Sequence, residues 1–265
     1  MRVAVAGSDV YAYTGTRAPD PALPTVVFVH GAGNDHSVWA LQSRYLAWHG
    51  RNVLAVDLPA HGRSGGEALA SVEAIADWIV RLLDAAGVGR AALVGHSMGA
   101  LAVLDCAARH AGRVGAVALA GPAAPMTVAD ALLDAARRND PVAHELITGW
   151  SFSSAGLLGG NRMPGLWLAG NALRLLERTR PGVLAVDLAA CNAYAAGVAA
   201  AGAVRCPALV IVGTRDLMAP PKSAQPLLDA LPGVRVVTLP GCGHAMMAEQ
   251  PDAVLDALRA FLGGA

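Results

Sequence analysis

Lysine occurs once, at Lys222, and phenylalanine only three times. Acidic and basic side chains balance at 20 each, and no run of like charges interrupts the chain. Such a sequence offers neither the basic groove that a nucleic-acid backbone requires nor a polybasic patch for anionic lipid. A small molecule is the expected partner, and nothing in the sequence fixes an oligomeric state. Cysteine is sparse too: Cys106, Cys191, Cys206 and Cys242 are scattered, without a Cys-x-x-Cys pair or the Cys/His spacing of a zinc site. They read as free thiols in a reducing, cytoplasmic compartment. The N-terminus lacks the apolar stretch of a signal peptide and reads as a hairpin turning at Gly7-Ser8-Asp9. The most apolar central stretch, 195–204, contains two glycines and is short of the roughly 20 residues needed to span a bilayer.

What remains is a 265-residue chain, 54% hydrophobic, long enough to bury a sizeable core. Short β-branched or apolar runs alternate with helical patterns. Thr25 to Val29 precedes a helix over about 37–49, Asn52 to Val56 one over 71–86, and Ala91 to Val94 one over 98–111. Gly115 to Leu119 is the next strand. This alternation predicts an α/β fold with a mostly parallel sheet buried on both faces, because each crossover lays a helix over it. The pattern breaks at Gly121-Pro122, stays helical until about Gly202, then resumes with strands at Ala208 to Val212 and Val234 to Leu239 and helices near 223–231 and 252–262. Residues 1–122 and 204–265 are therefore expected to form one core, and 123–203 an insertion carrying Met126, Trp150, Phe152, Met163, Leu166, Trp167 and Tyr194.

Gly95-His96-Ser97-Met98-Gly99 stands where a predicted strand ends and a helix begins. Gly-x-Ser-x-Gly in that position is a nucleophile elbow: the glycines let strand and helix approach while a strained turn lifts the hydroxyl above the sheet. A serine hydroxyl needs a base, and the base a third group to fix its tautomer. Asp216 in Gly213-Thr214-Arg215-Asp216 and His244 in Gly241-Cys242-Gly243-His244 each follow a later strand. In a parallel sheet those ends converge, so Ser97, Asp216 and His244 are expected as the catalytic set, in the chain order this architecture uses. The oxyanion donors are expected to be the N–H of Met98, which opens a helix, and that of Ala32 in His30-Gly31-Ala32-Gly33.

Rival readings carry less. Gly31-Ala32-Gly33 follows a strand as a dinucleotide fingerprint would, but position 36 is His36 where the third glycine belongs, so NAD is set aside and no cofactor is expected. His30, His61 and His244 come without a His-Glu-x-x-His pattern or paired carboxylates, and no metal is expected. Cys242 is read as a loop thiol, and Asp57 to Ser64 as a structural turn rich in Gly and Pro.

The segments HGAG at 30–33, DLPAHGRS at 57–64, GHSMGA at 95–100, GTRD at 213–216 and GCGH at 241–244 resemble the α/β-hydrolase superfamily, over nearly the whole chain except the insertion. The resemblance implies an eight-stranded sheet with a helical cap at 123–203 inserted after the sixth strand. It implies the Ser97, Asp216, His244 triad with donors Ala32 and Met98. Dehalogenases and epoxide hydrolases of this fold use an Asp at the elbow, so Ser97 favours acyl transfer. The expected activity is a carboxylesterase acting on a small, largely apolar ester or lactone. Enol-lactone hydrolysis, carbon–carbon bond hydrolysis of ring-cleavage products, cofactor-free perhydrolysis and a receptor role on the same fold are the alternatives. Those of Trp150, Phe152, Trp167 and Leu168 that face inward are expected to line an apolar acyl or alcohol pocket.

Overall fold

The computed structural model describes residues 1–160 and 165–263, so Met163 lies outside the described residues. Eight strands form one sheet: β1 (Arg2–Val5), β2 (Ser8–Tyr13), β3 (Thr25–Val29), β4 (Asn52–Val56), β5 (Ala91–His96), β6 (Val114–Ala120), β7 (Ala208–Gly213) and β8 (Arg235–Leu239). Their order is β1-β2-β4-β3-β5-β6-β7-β8. The β1–β2 and β2–β4 pairs are antiparallel and the rest are parallel. The hairpin turns at Ala6-Gly7, just before the expected position. Both residues have positive φ, 48° and 81°, the backbone a tight two-residue hairpin needs.

β3 is buried at every position, as are nearly all residues of β4, β5, β6 and β7. Helices on both faces account for this. On one side α1 (Ala40–Trp48) and the C-terminal helix pack over Val26, Phe28, Val94 and Ile211. On the other, α2 (Val72–Ala85) and α3 (Met98–Arg109) cover Val27, Val29, Leu93 and Val117. α2 shows why the sequence folds this way. Ser71 caps it by accepting from the Ala74 N–H at 3.1 Å, and Val72, Ile75, Ala76, Ile79, Leu82 and Leu83 form one buried stripe at helical spacing. Each of its large side chains contributes about 1.5–3 kcal/mol by leaving water.

After β6 come α4 (Asp130–Arg137), α5 (Val142–Ser151), α6 (Ser154–Leu157), α7 (Leu168–Leu176), α8 (Val183–Ala193) and α9 (Gly197–Ala203). Leu132, Ile147, Leu176, Leu184 and Leu188 from α4, α5, α7 and α8 form an apolar cluster separate from the sheet layers. The end of the expected insertion behaves differently. Tyr194, Ala200 and Ala201 belong to the buried cluster of the sheet, with α9 packed on α3 and on α10 (Pro221–Ala230). The last part of 123–203 is thus a core layer, not a lid. Short α11 (Met246–Glu249) and α12 (Pro251–Leu262) close the chain. Among the described residues no single helix is long and apolar enough to cross a membrane; the apolar pair α8 and α9 is bent by 70°.

Candidate active site

The carboxyl ends of β5, β7 and β8 lead directly to Ser97, Asp216 and His244. β5 pairs with β6 up to His96 and Ala120, and the Ser97 N–H then donates to the Ala120 carbonyl at 2.9 Å. Ser97 has φ 54° and ψ −118°, a strained conformation for a residue with a side chain, held between β5 and α3. The flanking glycines make the turn possible. A Cβ on Gly95 would lie 2.2 Å from the Gly99 carbonyl oxygen, and one on Gly99 would lie 2.5 Å from that of Val29. No larger residue fits either position without moving backbone.

His244 Nδ1 donates to Asp216 Oδ2 at 2.7 Å, and Asp216 Oδ1 accepts from the Ala219 N–H at 2.7 Å. Both residues are buried, at 4% and 3% exposure. Gly121 leaves room for the pair, since a Cβ there would lie 3.0 Å from His244 Nδ1 and 3.5 Å from Asp216 Oδ2. With Nδ1 committed to the carboxylate, Nε2 is the nitrogen left for proton transfer. Ser97 and His244 line the same cavity, of about 720 Å³.

Ala32 also lines the cavity, on the loop between β3 and α1, and Met98 is the first residue of α3, so its N–H has no acceptor within the helix. The direction of the Ala32 N–H is fixed from behind. The Gly31 carbonyl accepts from His30 Nδ1 at 2.8 Å and from the Asn34 N–H at 3.2 Å. In a planar trans peptide the Ala32 N–H points the opposite way. His30 Nε2 in turn accepts from the Leu58 N–H at 3.1 Å, so the ring is neutral; burial, with His61 beside it, pushes its pKa down to about 4.

Of the residues expected to line the pocket, Trp150, Phe152 and Leu168 do, joined by Leu132, Ile147 and Leu176. Trp167 does not. It is 64% exposed, its indole lying over Gly170, where a Cβ would fall 2.1 Å from the ring. The missing side chain three residues along α7 gives the indole an outward slot, which draws it off the cavity. Cys242 is fully buried, and burial reinforced by Glu249 and Asp216 pushes its thiol up to about 12, which disarms it as a nucleophile.

Two carboxylates that sequence reasoning missed brace the site. Glu249, on α11, accepts from the Gly243 N–H at 2.9 Å, the Ser153 N–H at 3.1 Å and the Ser153 hydroxyl at 2.5 Å. It thereby ties the loop carrying His244 to the segment before α6. Asp187, on α8, accepts from the Gly33 N–H and from His61 Nε2, each at 2.8 Å. The Asp57 to Ser64 turn is therefore more than punctuation. Asp57 holds it together through His36 and the Arg63 N–H, while His61 reaches across to Asp187. Among the described residues, Asp35, His36 and Asp57 are the one group able to place three metal-ligand atoms within 4.8 Å of one another. Asp57 already serves backbone N–H groups and Asp35 caps Ser37.

Residues 26–257 match the Alpha/beta hydrolase family. The chain belongs to that family. It is 31% identical over 242 residues to the pimeloyl-(acyl-carrier protein) methyl ester esterase of Aromatoleum aromaticum, spanning 86% of this chain and 94% of the relative. The enol-lactonase of Burkholderia xenovorans superposes with a TM-score of 0.87 at 27% identity, covering 99% of this chain and 100% of that one. Some matches are local: the chain spans 38% of the length of a Mycobacterium phage D29 relative and 26% of the acetyltransferase component of an acetoin cleaving system in Cupriavidus necator.

Proposed function

We propose that this α/β hydrolase is a serine carboxylesterase that cleaves an ester of a small, largely apolar substrate through an acyl-enzyme. The observation that carries the reading is the 2.7 Å His244–Asp216 pair set beside an elbow serine on the wall of one apolar cavity. His244 Nε2 takes the Ser97 proton as Oγ attacks the ester carbonyl. Asp216 keeps the imidazole in the required tautomer and stabilises its charged form. The oxyanion is held by the N–H groups of Ala32 and Met98, the latter at the positive end of α3. As the tetrahedral intermediate collapses, His244 returns the proton to the leaving alcohol. Water, deprotonated by the same nitrogen, then releases the acid.

Trp150, Phe152 and Leu168, with Leu132 and Ile147, give the cavity an apolar wall suited to the hydrocarbon part of the substrate. The relative named for a methyl ester supports an ester with a small leaving group. Similarity to an enol-lactonase over both whole chains favours a second reading, hydrolysis of a lactone by the same steps. The test is hydrolysis of p-nitrophenyl esters from acetate to dodecanoate alongside a panel of lactones, wild type against Ser97→Ala. Loss by a factor on the order of 10⁴ to 10⁶ is expected in the variant. Rates near wild type in Ser97→Ala would end the serine mechanism, and a strong preference for lactones would select the second reading.

A further inference from the structure

We propose that Asp187, carried on α8 of the inserted region, is a positioning residue for the oxyanion site: it grips the Gly33 N–H and so holds the neighbouring Ala32 N–H at its working angle. The inference rests on the assignment of Ala32 as an oxyanion donor.

Asp187 is 1% exposed and does not line the cavity, so it acts through other groups. Its Oδ2 accepts two bonds of 2.8 Å, from the Gly33 N–H, 154 residues away in the chain, and from His61 Nε2. His61 Nδ1 lies 2.9 Å from the Pro59 carbonyl oxygen. Both ring nitrogens thus face acceptors, the arrangement that suits an imidazolium paired with the carboxylate. A buried ion pair gains little net stability over apolar packing of the same volume. What this pair does supply is a fixed acceptor at one backbone N–H.

The same residue is held from its other sides by the inserted region. Thr179, just beyond α7, donates its hydroxyl to the Gly33 carbonyl at 2.7 Å. Leu184 and Leu176 lie 3.0 and 3.1 Å from where a Cβ on Gly33 would stand. Gly33 itself has φ +66°, a conformation that other residues resist and that contacts must maintain. N–H, carbonyl and α-carbon of the residue after Ala32 are therefore all set by residues of the inserted region, on α7, on α8 and in the loop between them. The core fixes the preceding peptide through His30 and Asn34, and the inserted region fixes the following one. Ala32 stands between the two clamps, so helices that shape the pocket also complete the oxyanion site.

The test compares wild type with Asp187→Ala, Asp187→Asn and Thr179→Val. The readouts are p-nitrophenyl ester kinetics, affinity for phenylboronic acid, whose tetrahedral adduct with Ser97 fills the oxyanion position, and the rate of Ser97 labelling by a fluorophosphonate. Removing one oxyanion donor costs about 10² to 10³ in kcat. A loosened donor should cost part of that: Asp187→Ala is expected to lose about 10- to 100-fold in kcat, in boronate affinity and in labelling rate, with KM within about twofold. Asp187→Asn keeps an acceptor for the Gly33 N–H and should recover most of the loss. Thr179→Val should shift the same readouts in the same sense by about threefold to tenfold.

A folded Asp187→Ala with unchanged kcat and boronate affinity overturns the inference, as does a raised KM with kcat intact, which would mean that Asp187 only shapes the pocket. If Asp187→Ala does not fold, Thr179→Val decides, since it removes a single half-buried hydroxyl; unchanged kcat and boronate affinity there are equally fatal. Failure of the serine reading has a different signature: wild-type hydrolysis that survives Ser97→Ala.

Discussion

Asp216 holds His244 by one carboxylate oxygen, Oδ2 to Nδ1 at 2.7 Å, while its other oxygen is anchored to the Ala219 N–H. The two bonds leave the carboxylate no freedom to rotate, and they fix which histidine nitrogen carries the proton. Asp216→Asn keeps the shape but presents an amide N–H to Nδ1. His244 must then place its proton on Nε2, where it can no longer accept one from Ser97. A fall in kcat of about 10⁴ with little change in KM is expected from ester kinetics. A loss of less than about tenfold would remove Asp216 from the proposed mechanism.

Glu249 makes a separate prediction because its three bonds join two loops. Gly243 must be glycine here, since a Cβ would lie 2.5 Å from Glu249 Oε1 and 2.7 Å from the Ser151 carbonyl oxygen. Glu249→Ala leaves the Gly243 and Ser153 N–H groups without their acceptor and frees the loop that carries His244. A loss of about 1–3 kcal/mol is expected, seen as a melting temperature lowered by about 3–10 °C, together with a reduced kcat. An unchanged melting temperature would show that water replaces the carboxylate at no cost.

The sheet and the three strand-end residues were legible in the sequence because each depends on short-range signals. β3 reads as a strand from five consecutive residues, and Ser97, Asp216 and His244 each follow an apolar run and a glycine-bearing turn. Trp167 was misplaced because hydrophobicity gives no direction; its side chain goes where Gly170 leaves space. α9 read as part of the insertion because nothing local distinguishes an alanine-rich helix over a pocket from one packed on α3. Asp187 and Glu249 were invisible for the opposite reason: their partners, Gly33, His61 and Ser153, lie 154, 126 and 96 residues away, and a lone carboxylate in a helix carries no sign of what it will meet.

The cysteines should be silent in the folded enzyme. Cys106 and Cys242 are fully buried, and burial pushes each up to about 12, leaving roughly one thiolate in 10⁴ to 10⁵ at pH 7.5. Iodoacetamide at that pH is expected to alkylate only half-buried Cys206 and to leave hydrolysis unchanged, as read by intact mass and activity together. Inactivation that tracks modification of Cys242 would reopen the question of the nucleophile.

The buried histidines make stability depend on pH with opposite signs. His30 is pushed down to about 4 by burial and by His61. His96, whose Nε2 donates to the His244 carbonyl at 3.0 Å, is held well below the ordinary range by burial and by His244. Below about pH 6.5 the unfolded chain takes protons at both positions that the folded chain refuses, so stability falls with acid by about 1.4 kcal/mol per pH unit for each. For His61, burial works against the charge, but the Asp187 carboxylate and the bonds to Asp187 and Pro59 outweigh it, with Asp57 adding to the same side, and the pKa is raised. Its contribution is complete below the unfolded value near 6.5 and is lost as pH rises through the folded value. Urea unfolding of wild type from pH 5 to 9 should therefore show a maximum, with a loss on the acid side between about pH 6.5 and 5 and a decline on the alkaline side. In His61→Gln the acid loss should persist and the alkaline decline should shrink. Parallel curves for the two proteins across the alkaline range would mean that the His61–Asp187 contact is not an ion pair in solution.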